Sequence, residues 1–183
     1  MVEWKAPDDT SVQPHLIQLG MVLVESGDWK AMARHSLRVR LPQGVAMDPG
    51  ALAAHGMSEE ECNDFGLAPS VACQLFRATV LQADLVVAHN LRFDQIVMRA
   101  ACARAGVELD WADAVPGYCT MEGATSVLQL PGRKGYKWPT LAEAYAHFSG
   151  EEIKGAHDAA VDAEACLLIY RSLQSLARSS REG

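Results

Sequence analysis

The sequence predicts a mixed α/β fold, with a central sheet flanked by helices. Two stretches, residues 15–24 and 35–41, show the apolar and the alternating patterns of strands and are separated by a turn, which predicts a hairpin. A third apolar run, residues 84–90, leads directly into a helical pattern. Strands that are followed by crossover helices are typical of α/β proteins, and this order sets the predicted fold class.

Local signals define the elements between these strands. Ser58 is the expected N-cap of a helix that has Glu60 and Glu61 in its first turn. Thr140 is expected to be the N-cap of another helix. Gly106 is expected at the C′ position of the helix predicted at residues 93–105. The other predicted elements are helices at residues 48–55, 69–81, 93–105, 121–127, 140–148 and 159–177, a short strand within 111–120 and a loop at 132–139.

Composition limits the class of protein. The chain has 183 residues, of which 49% are hydrophobic, and this suffices for one domain, placed at residues 1–177 with a polar tail at 178–183. No apolar run approaches the roughly 18 residues of a membrane span, and no signal peptide is expected. The five cysteines are scattered and contain no C-x-x-C pair, which favours a reduced, cytoplasmic protein without a zinc site. The net charge of −7 argues against a protein that coats long nucleic acid, but not against an enzyme that grips a few nucleotides at a metal.

Two segments carry the candidate chemistry, residues 89–94 (HNLRFD) and 157–162 (HDAAVD). Each places an aspartate, Asp94 or Asp162, in an apolar stretch, where an unpaired carboxylate is costly to desolvate. A divalent cation would balance both charges, and oxygen ligands favour Mg²⁺ or Mn²⁺. His157 is suited to accept a proton from a metal-bound water.

Each aspartate also has a purely structural alternative. Asp162 stands near the start of a helix and could act as its N-cap. Asp94 stands in the first turn of a helix, after an Asn90 that suits a turn. Against this, Asp94 follows a buried strand, and active sites of α/β proteins lie at the carboxyl ends of strands.

The two segments resemble the corresponding motifs of the DEDDh (DnaQ-like) 3′–5′ exonucleases, the proofreading-subunit group, which have an RNase H-like fold. The resemblance extends from about His15 to Leu173 and includes the Pro-Thr-Leu at residues 139–141. It implies two metal ions held by four carboxylates, with Asp94 and Asp162 among them, and His157 as the general base.

The first motif of that family, Asp-x-Glu at the end of the first strand, is incomplete in this chain. The best alignment places Glu3 on the glutamate, as a metal ligand, and Met1 where the aspartate should be. Asp8 or Asp9 is an alternative, but no apolar strand precedes either one. The first strand is therefore predicted to be truncated, and because the bridging Asp is missing, we expect weak hydrolysis or none.

A basic loop with aromatic residues could hold unpaired nucleotides by stacking and phosphate contacts. Its predicted substrate-binding residues are Lys134, Tyr136 and Trp138, together with His89 and Asn90 in the strand-to-helix loop. The alternative is a solvated loop with an aromatic side chain packed beneath it.

The resemblance implies a 3′–5′ exonuclease that acts on single-stranded 3′ ends, with DNA favoured over RNA and a DNA polymerase as a partner to consider. The alternative is a non-catalytic domain of the same fold that binds nucleic acid or a polymerase. An RNase H-like endonuclease is disfavoured, because His-x-x-x-x-Asp at residues 157–162 matches the exonucleases. A serine hydrolase is disfavoured, because no G-x-S-x-G motif is present.

Overall fold

The computed structural model describes residues 1–47, 49–109, 111–155 and 158–182. The strands are β1 (Gln18–Val24), β2 (Ala31–Arg38), β3 (Val86–Ala88), β4 (Gly117–Cys119), β5 (Pro131–Gly132) and β6 (Gly135–Tyr136). The helices are α1 (Pro49–His55), α2 (Glu59–Phe65), α3 (Pro69–Val80), α4 (Leu91–Arg104), α5 (Trp111–Ala114), α6 (Thr120–Leu128), α7 (Leu141–Ser149) and α8 (Ala159–Glu182). The predicted mixed α/β class is confirmed.

The predicted N-terminal hairpin is present. Strands β1 and β2 pair antiparallel, with Gln18 opposite Arg38. The turn is closed by a hydrogen bond from the Glu25 amide to the Lys30 carbonyl, 2.9 Å long. Because this turn is compact, β2 begins at Ala31, earlier than its alternating pattern suggested.

Strands β3 and β4 form a second, parallel pair, with Val86 opposite Gly117 and helix α4 in the crossover. The crossover also contains α5, a short helix that the sequence analysis did not predict. Its Trp111 is buried and lies edge-on to Phe76 with ring centroids 5.5 Å apart, so tertiary packing fixes this turn of helix.

The two strand pairs contact the same core but do not hydrogen-bond to each other in the described part of the chain. One core cluster joins Leu19 of β1 and Val86 of β3 to apolar side chains of α3 and α4. Helix α8 packs against β1, β2 and β3. Within the described ranges no strand bridges β1 and β3, so the predicted central sheet is divided into two halves held between the same helices.

The helix ends mostly follow the local signals. Ser58 and Thr140 each form a capping box, with Glu61 and Glu143 respectively, and Gly106 has a φ of 66° after α4. The predicted end of the last helix near residue 177 was wrong: the segment predicted as a polar tail continues α8 to Glu182, since it contains no proline or glycine that would stop the helix earlier.

Two further observations concern the chain as a whole. The five cysteines are free thiols. No helix in the described ranges is both long and apolar enough to cross a membrane.

Candidate active site

Asp94 is positioned by the sharp turn between β3 and α4. Asn90 is the N-cap residue and adopts the left-handed conformation (φ 69°, ψ 53°), which Asn tolerates better than most residues. Its carbonyl accepts a hydrogen bond from the Phe93 amide at 2.8 Å. Asp94 follows in the first turn of α4. Burial raises the pKa of Asp94 to about 7, against the opposing effect of its backbone hydrogen bond.

Asp162 is positioned by the docking of α8 on β1. The capping residue of α8 is Asp158, whose Oδ1 accepts from the amides of Ala160 and Val161 at 3.0 and 3.4 Å. The Gln18 side chain of β1 donates to Asp158 Oδ2 at 2.9 Å and accepts from the Ala159 amide at 3.1 Å. The alternative in which Asp162 is the N-cap is therefore wrong, because Asp158 already fills that position.

His89, at the end of β3, lies at the centre of a buried hydrogen-bond network. Its Nδ1 lies 3.0 Å from Thr120 Oγ1, and its Nε2 lies 3.0 Å from the carbonyl oxygen of Pro139. Thr120, at the start of α6, is fully buried, and its Oγ1 lies 3.5 Å from Cys166 Sγ on α8. One imidazole thus links β3, α6, α8 and the segment before α7.

Both candidate aspartates interact electrostatically with members of this network. Burial lowers the pKa of His89, while its hydrogen bond to Pro139 and the negative charge of Asp162 oppose that shift. Burial raises the pKa of Cys166 to about 12, and the negative charge of Asp94 adds to this. Cys166 follows Asp162 by one turn of α8. The negative charges of both aspartates therefore influence pKa values of residues in the same network.

The other predicted ligand, Glu3, is placed differently. Its side chain is exposed and its Oε1 accepts from the Lys5 amide at 2.9 Å, within the N-terminal turn. The neighbouring Val2 is buried against Ile96 and Val97 of α4. Among the described residues no group of three histidine, cysteine, aspartate or glutamate side chains is arranged to hold a metal ion, so the structure does not bring Glu3 to the two aspartates.

The predicted general base, His157, lies outside the described residues. The assignment of proton transfer to His157 stays a prediction, as does metal binding by Glu3.

The predicted basic loop is a short hairpin, β5–β6, whose side chains point into solvent. Tyr136 and Trp138 are 54% and 65% exposed, and Lys134 is exposed in the turn. The alternative of an aromatic side chain packed beneath the loop is therefore wrong for both residues. Lys137 forms an ion pair with Glu143, which ties the hairpin to α7.

The chemistry of the donor set suits a hard divalent cation. Asp94 and Asp162 are oxygen donors, the ligand type that Mg²⁺ and Mn²⁺ prefer. The raised pKa of Asp94 shows that its ionised form is unfavourable where it stands, and a bound cation would reverse that effect. Among the described residues no group of three such side chains is arranged to hold an ion, so metal binding by Asp94 and Asp162 stays a prediction.

Sequence reasoning missed three residues of the network, namely Thr120, Pro139 and Cys166. Cys166 could have been found, because it lies on the same helical face as Asp162. Pro139 belongs to the Pro-Thr-Leu of the family resemblance, but nothing in the sequence pairs it or Thr120 with His89, since they meet His89 only through the tertiary fold.

Comparisons with known proteins identify the family and the fold of this chain. Residues 6–170 match the profile of a family described as Exonuclease (RNase T), a range that includes both aspartates. No curated protein shows significant sequence similarity to the chain.

Solved structures of E. coli exonuclease I are similar to this chain in fold. The complex with a dT13 oligonucleotide superimposes with a TM-score of 0.73 at 16% identity, over 91% of this chain and 38% of the other. The zinc-bound complex with single-stranded DNA gives 0.65 at 17% identity, over 80% and 34%. The chain thus spans well under half the length of these structures, and the likeness establishes an RNase H-like fold.

Proposed function

This chain belongs to the exonuclease family, of the DEDDh or DnaQ-like type, and from that premise we propose that it is a metal-dependent 3′–5′ exonuclease. Its substrate would be the 3′ end of a single strand, with DNA favoured over RNA. The E. coli structures of similar fold are complexes with single-stranded oligonucleotides, which supports this substrate class.

The observation that carries the proposal is the placement of Asp94 and Asp162. They come from two helices distant in sequence, α4 and α8, and both act on the His89–Thr120–Cys166 network. Burial raises the pKa of Asp94, and a bound divalent cation would favour its ionised form. We assign them as the ligands of Mg²⁺ or Mn²⁺.

The roles of the other residues follow from this assignment. Asp94 and Asp162 would hold a divalent ion, which would lower the pKa of the attacking water and stabilise the charge on the leaving 3′ oxygen. His157 would accept the proton of that water. Tyr136 and Trp138 would stack on bases, and Lys134 would contact a phosphate, because all three are exposed on the hairpin.

One observation favours a second candidate function, a non-catalytic domain that binds nucleic acid or a polymerase. Among the described residues no third metal-ligating side chain joins the two aspartates, and the Glu3 carboxylate lies in a local turn instead. A complete site for two ions is therefore not assembled by the described residues. For this reason we propose that hydrolysis by the chain is slow.

We also propose a partner protein and a cellular compartment. A DNA polymerase is the partner that a proofreading exonuclease would serve. Free thiols at all five cysteines fit a reducing compartment, so we assign the protein to the cytoplasm.

The test is a hydrolysis assay with Mn²⁺ on a single-stranded oligodeoxynucleotide labelled at its 5′ end. We expect stepwise shortening that a chelator stops. Asp94→Asn and Asp162→Asn should each abolish it and weaken Mn²⁺ binding measured by calorimetry. Asp64→Asn, a change of an exposed aspartate in α2, is the matched control and should behave like the wild type.

Three outcomes separate the alternatives. Stepwise loss of 3′ nucleotides supports the exonuclease. Oligonucleotide binding without Mn²⁺ binding or shortening would establish the non-catalytic domain instead. Cleavage of a circular single strand, which has no 3′ end, would point to an endonuclease.

A further inference from the structure

The His89 imidazole uses both of its ring nitrogens inside the protein. Nε2 faces the carbonyl of Pro139, and Nδ1 faces the hydroxyl of Thr120, each at 3.0 Å. Pro139 is fully buried and directly follows Trp138, so it forms the base of the exposed hairpin. The ring therefore has no nitrogen left for a substrate.

The partners of the ring determine where its proton lies. A carbonyl oxygen only accepts, so Nε2 carries the hydrogen and donates to Pro139. In the neutral ring, which burial favours, Nδ1 has no hydrogen and can only accept, so the Thr120 hydroxyl shares its one hydrogen between Nδ1 at 3.0 Å and the Ala88 carbonyl at 3.3 Å. Thr120 Oγ1 is left free to accept from the Cys166 thiol at 3.5 Å.

Donors and acceptors thus follow one another in a single direction from α8 to the hairpin. The thiol of Cys166 donates to Thr120, Thr120 donates to His89, and His89 donates to Pro139. Such a buried chain of hydrogen bonds is mutually reinforcing, and it fails when one member loses its partner. The chain of hydrogen bonds begins at Cys166, one helical turn after Asp162, and ends at Pro139, which directly follows Trp138.

We propose that His89 is a positioning residue that fixes the basic aromatic hairpin, residues 131–138, relative to Asp94 and Asp162. A single strand held by Lys134 and Trp138 would then meet the carboxylates in one register. This inference rests on the proposed function for its substrate, and it replaces the predicted direct contact of His89 with substrate.

Two substitutions distinguish the two hydrogen bonds of the ring. The amide of glutamine reaches about as far as Nε2 and can donate to Pro139, whereas the amide of asparagine reaches only to the position of Nδ1. His89→Gln should therefore keep the hairpin in place, and His89→Asn should release it. His147→Asn, at an exposed histidine of α7, is the control.

The experiment compares these full-length variants by three measurements: anisotropy of a labelled oligo-dT, calorimetry with Mn²⁺, and hydrogen exchange of residues 131–138. For His89→Asn we expect about tenfold weaker oligonucleotide binding, Mn²⁺ affinity like that of the wild type, and faster exchange of the hairpin. His89→Gln should match the wild type in all three.

Equal oligonucleotide binding and equal hairpin exchange in His89→Asn would overturn the inference. Should that variant fail to fold, the wild-type protein still decides: imidazole ¹⁵N NMR must show the hydrogen of His89 on Nε2, and a hydrogen on Nδ1 alone refutes the arrangement. If the wild type binds neither oligo-dT nor Mn²⁺, the proposed function fails, while hydrogen exchange of the hairpin still tests the tether.

Discussion

Gln18 of β1 and Asp158, the N-cap of α8, are joined side chain to side chain at 2.9 Å, although 140 residues separate them in the sequence. The same glutamine accepts from the Ala159 amide, so it satisfies one of the free amides at the start of α8. This contact fixes the first turn of α8 against the sheet. Because Asp162 lies in that turn, its position depends on a strand that carries no chemistry of its own.

The close approach of α8 to β1 requires a glycine at position 20. A Cβ atom there would lie 2.0 Å from the Ala159 carbonyl oxygen, and a backbone atom cannot rotate away as a side chain would. We expect Gly20→Ala to lower the free energy of unfolding by at least about 1–3 kcal/mol, measured by urea denaturation. The same variant should lose Mn²⁺ affinity, since α8 must shift.

Gly27→Ala is the matched control for that substitution. Nothing lies within 4 Å of a Cβ built at Gly27, and its backbone conformation is open to other residues. Its stability should stay within about 0.5 kcal/mol of the wild type. Equal stability of the two variants would show that α8 does not rest on Gly20.

The half-buried Asp94 should make the stability of the metal-free protein depend on pH, because desolvation raises the pKa of its carboxyl. Its ordinary pKa is 3.8, and burial raises the pKa in the folded protein to about 7. Between these values the folded state holds a proton that the unfolded chain has released. The stability contributed by the neutral acid is therefore complete below about pH 4 and is lost as the pH rises through about 7.

Urea denaturation in the presence of a chelator, repeated at several pH values, measures this effect. Asp94→Asn should lose that part of the decline, because its amide does not titrate. Asp64→Asn removes an exposed carboxylate and should retain the wild-type profile. If Asp94→Asn and the wild type decline with the same slope, Asp94 is not the buried acid responsible.

Features that depend on neighbouring residues could be predicted from the sequence, whereas features that depend on tertiary contacts could not. The capping boxes at Ser58 and Thr140 were predictable because each lies within one turn of chain. The motif aspartates were predictable because charge in an apolar stretch is visible in the sequence. By contrast, the cap at Asp158 was missed, because the Gln18 contact that accompanies it crosses the whole fold.

The residues of the candidate site show the same difference between local signals and tertiary contacts. His89 was singled out by its motif, but its partners Thr120 and Pro139 are 31 and 50 residues away in the sequence. Only tertiary packing can choose such partners. Glu3 shows the reverse case: the family pattern suggested a ligand, while the structure places its carboxylate in a local turn.

Charge on the hairpin should determine how the affinity for a single strand depends on salt. Lys134→Gln should weaken binding of an oligodeoxynucleotide and reduce the slope of log K against log salt by about 0.7, the value for one phosphate contact. Lys137→Gln should have a smaller effect, because that ammonium is paired with Glu143. Fluorescence anisotropy over a range of salt concentrations measures both.

Lys30→Gln is the control for charge alone, since Lys30 is an exposed lysine in the β1–β2 turn. It should leave the slope unchanged. A slope that falls equally for Lys30→Gln and Lys134→Gln would mean that only net charge matters and that the hairpin does not touch the strand.

An engineered N-terminal extension tests the gap between the two halves of the sheet. Strands β1 and β3 lie between the same helices without a bridging strand in the described part of the chain. The extension adds an apolar strand between β1 and β3. This strand ends in Asp-x-Glu, and the glutamate of that motif is Glu3. Both carboxylates would then lie at the sheet edge near Asp94. More negative ligands should strengthen binding of divalent ions, so 3′-end hydrolysis in Mn²⁺ should increase.

The same extension ending in Asn-x-Gln separates metal ligation from folding. It should stabilise the protein as much as the first extension, because strand pairing depends on backbone and apolar side chains, but it should not increase hydrolysis. If both extensions stabilise the protein and neither gains activity, the alignment of Glu3 with the family glutamate is wrong. If neither stabilises it, the layer between β1 and β3 does not accept a strand, and the reason for weak hydrolysis must lie elsewhere in the site.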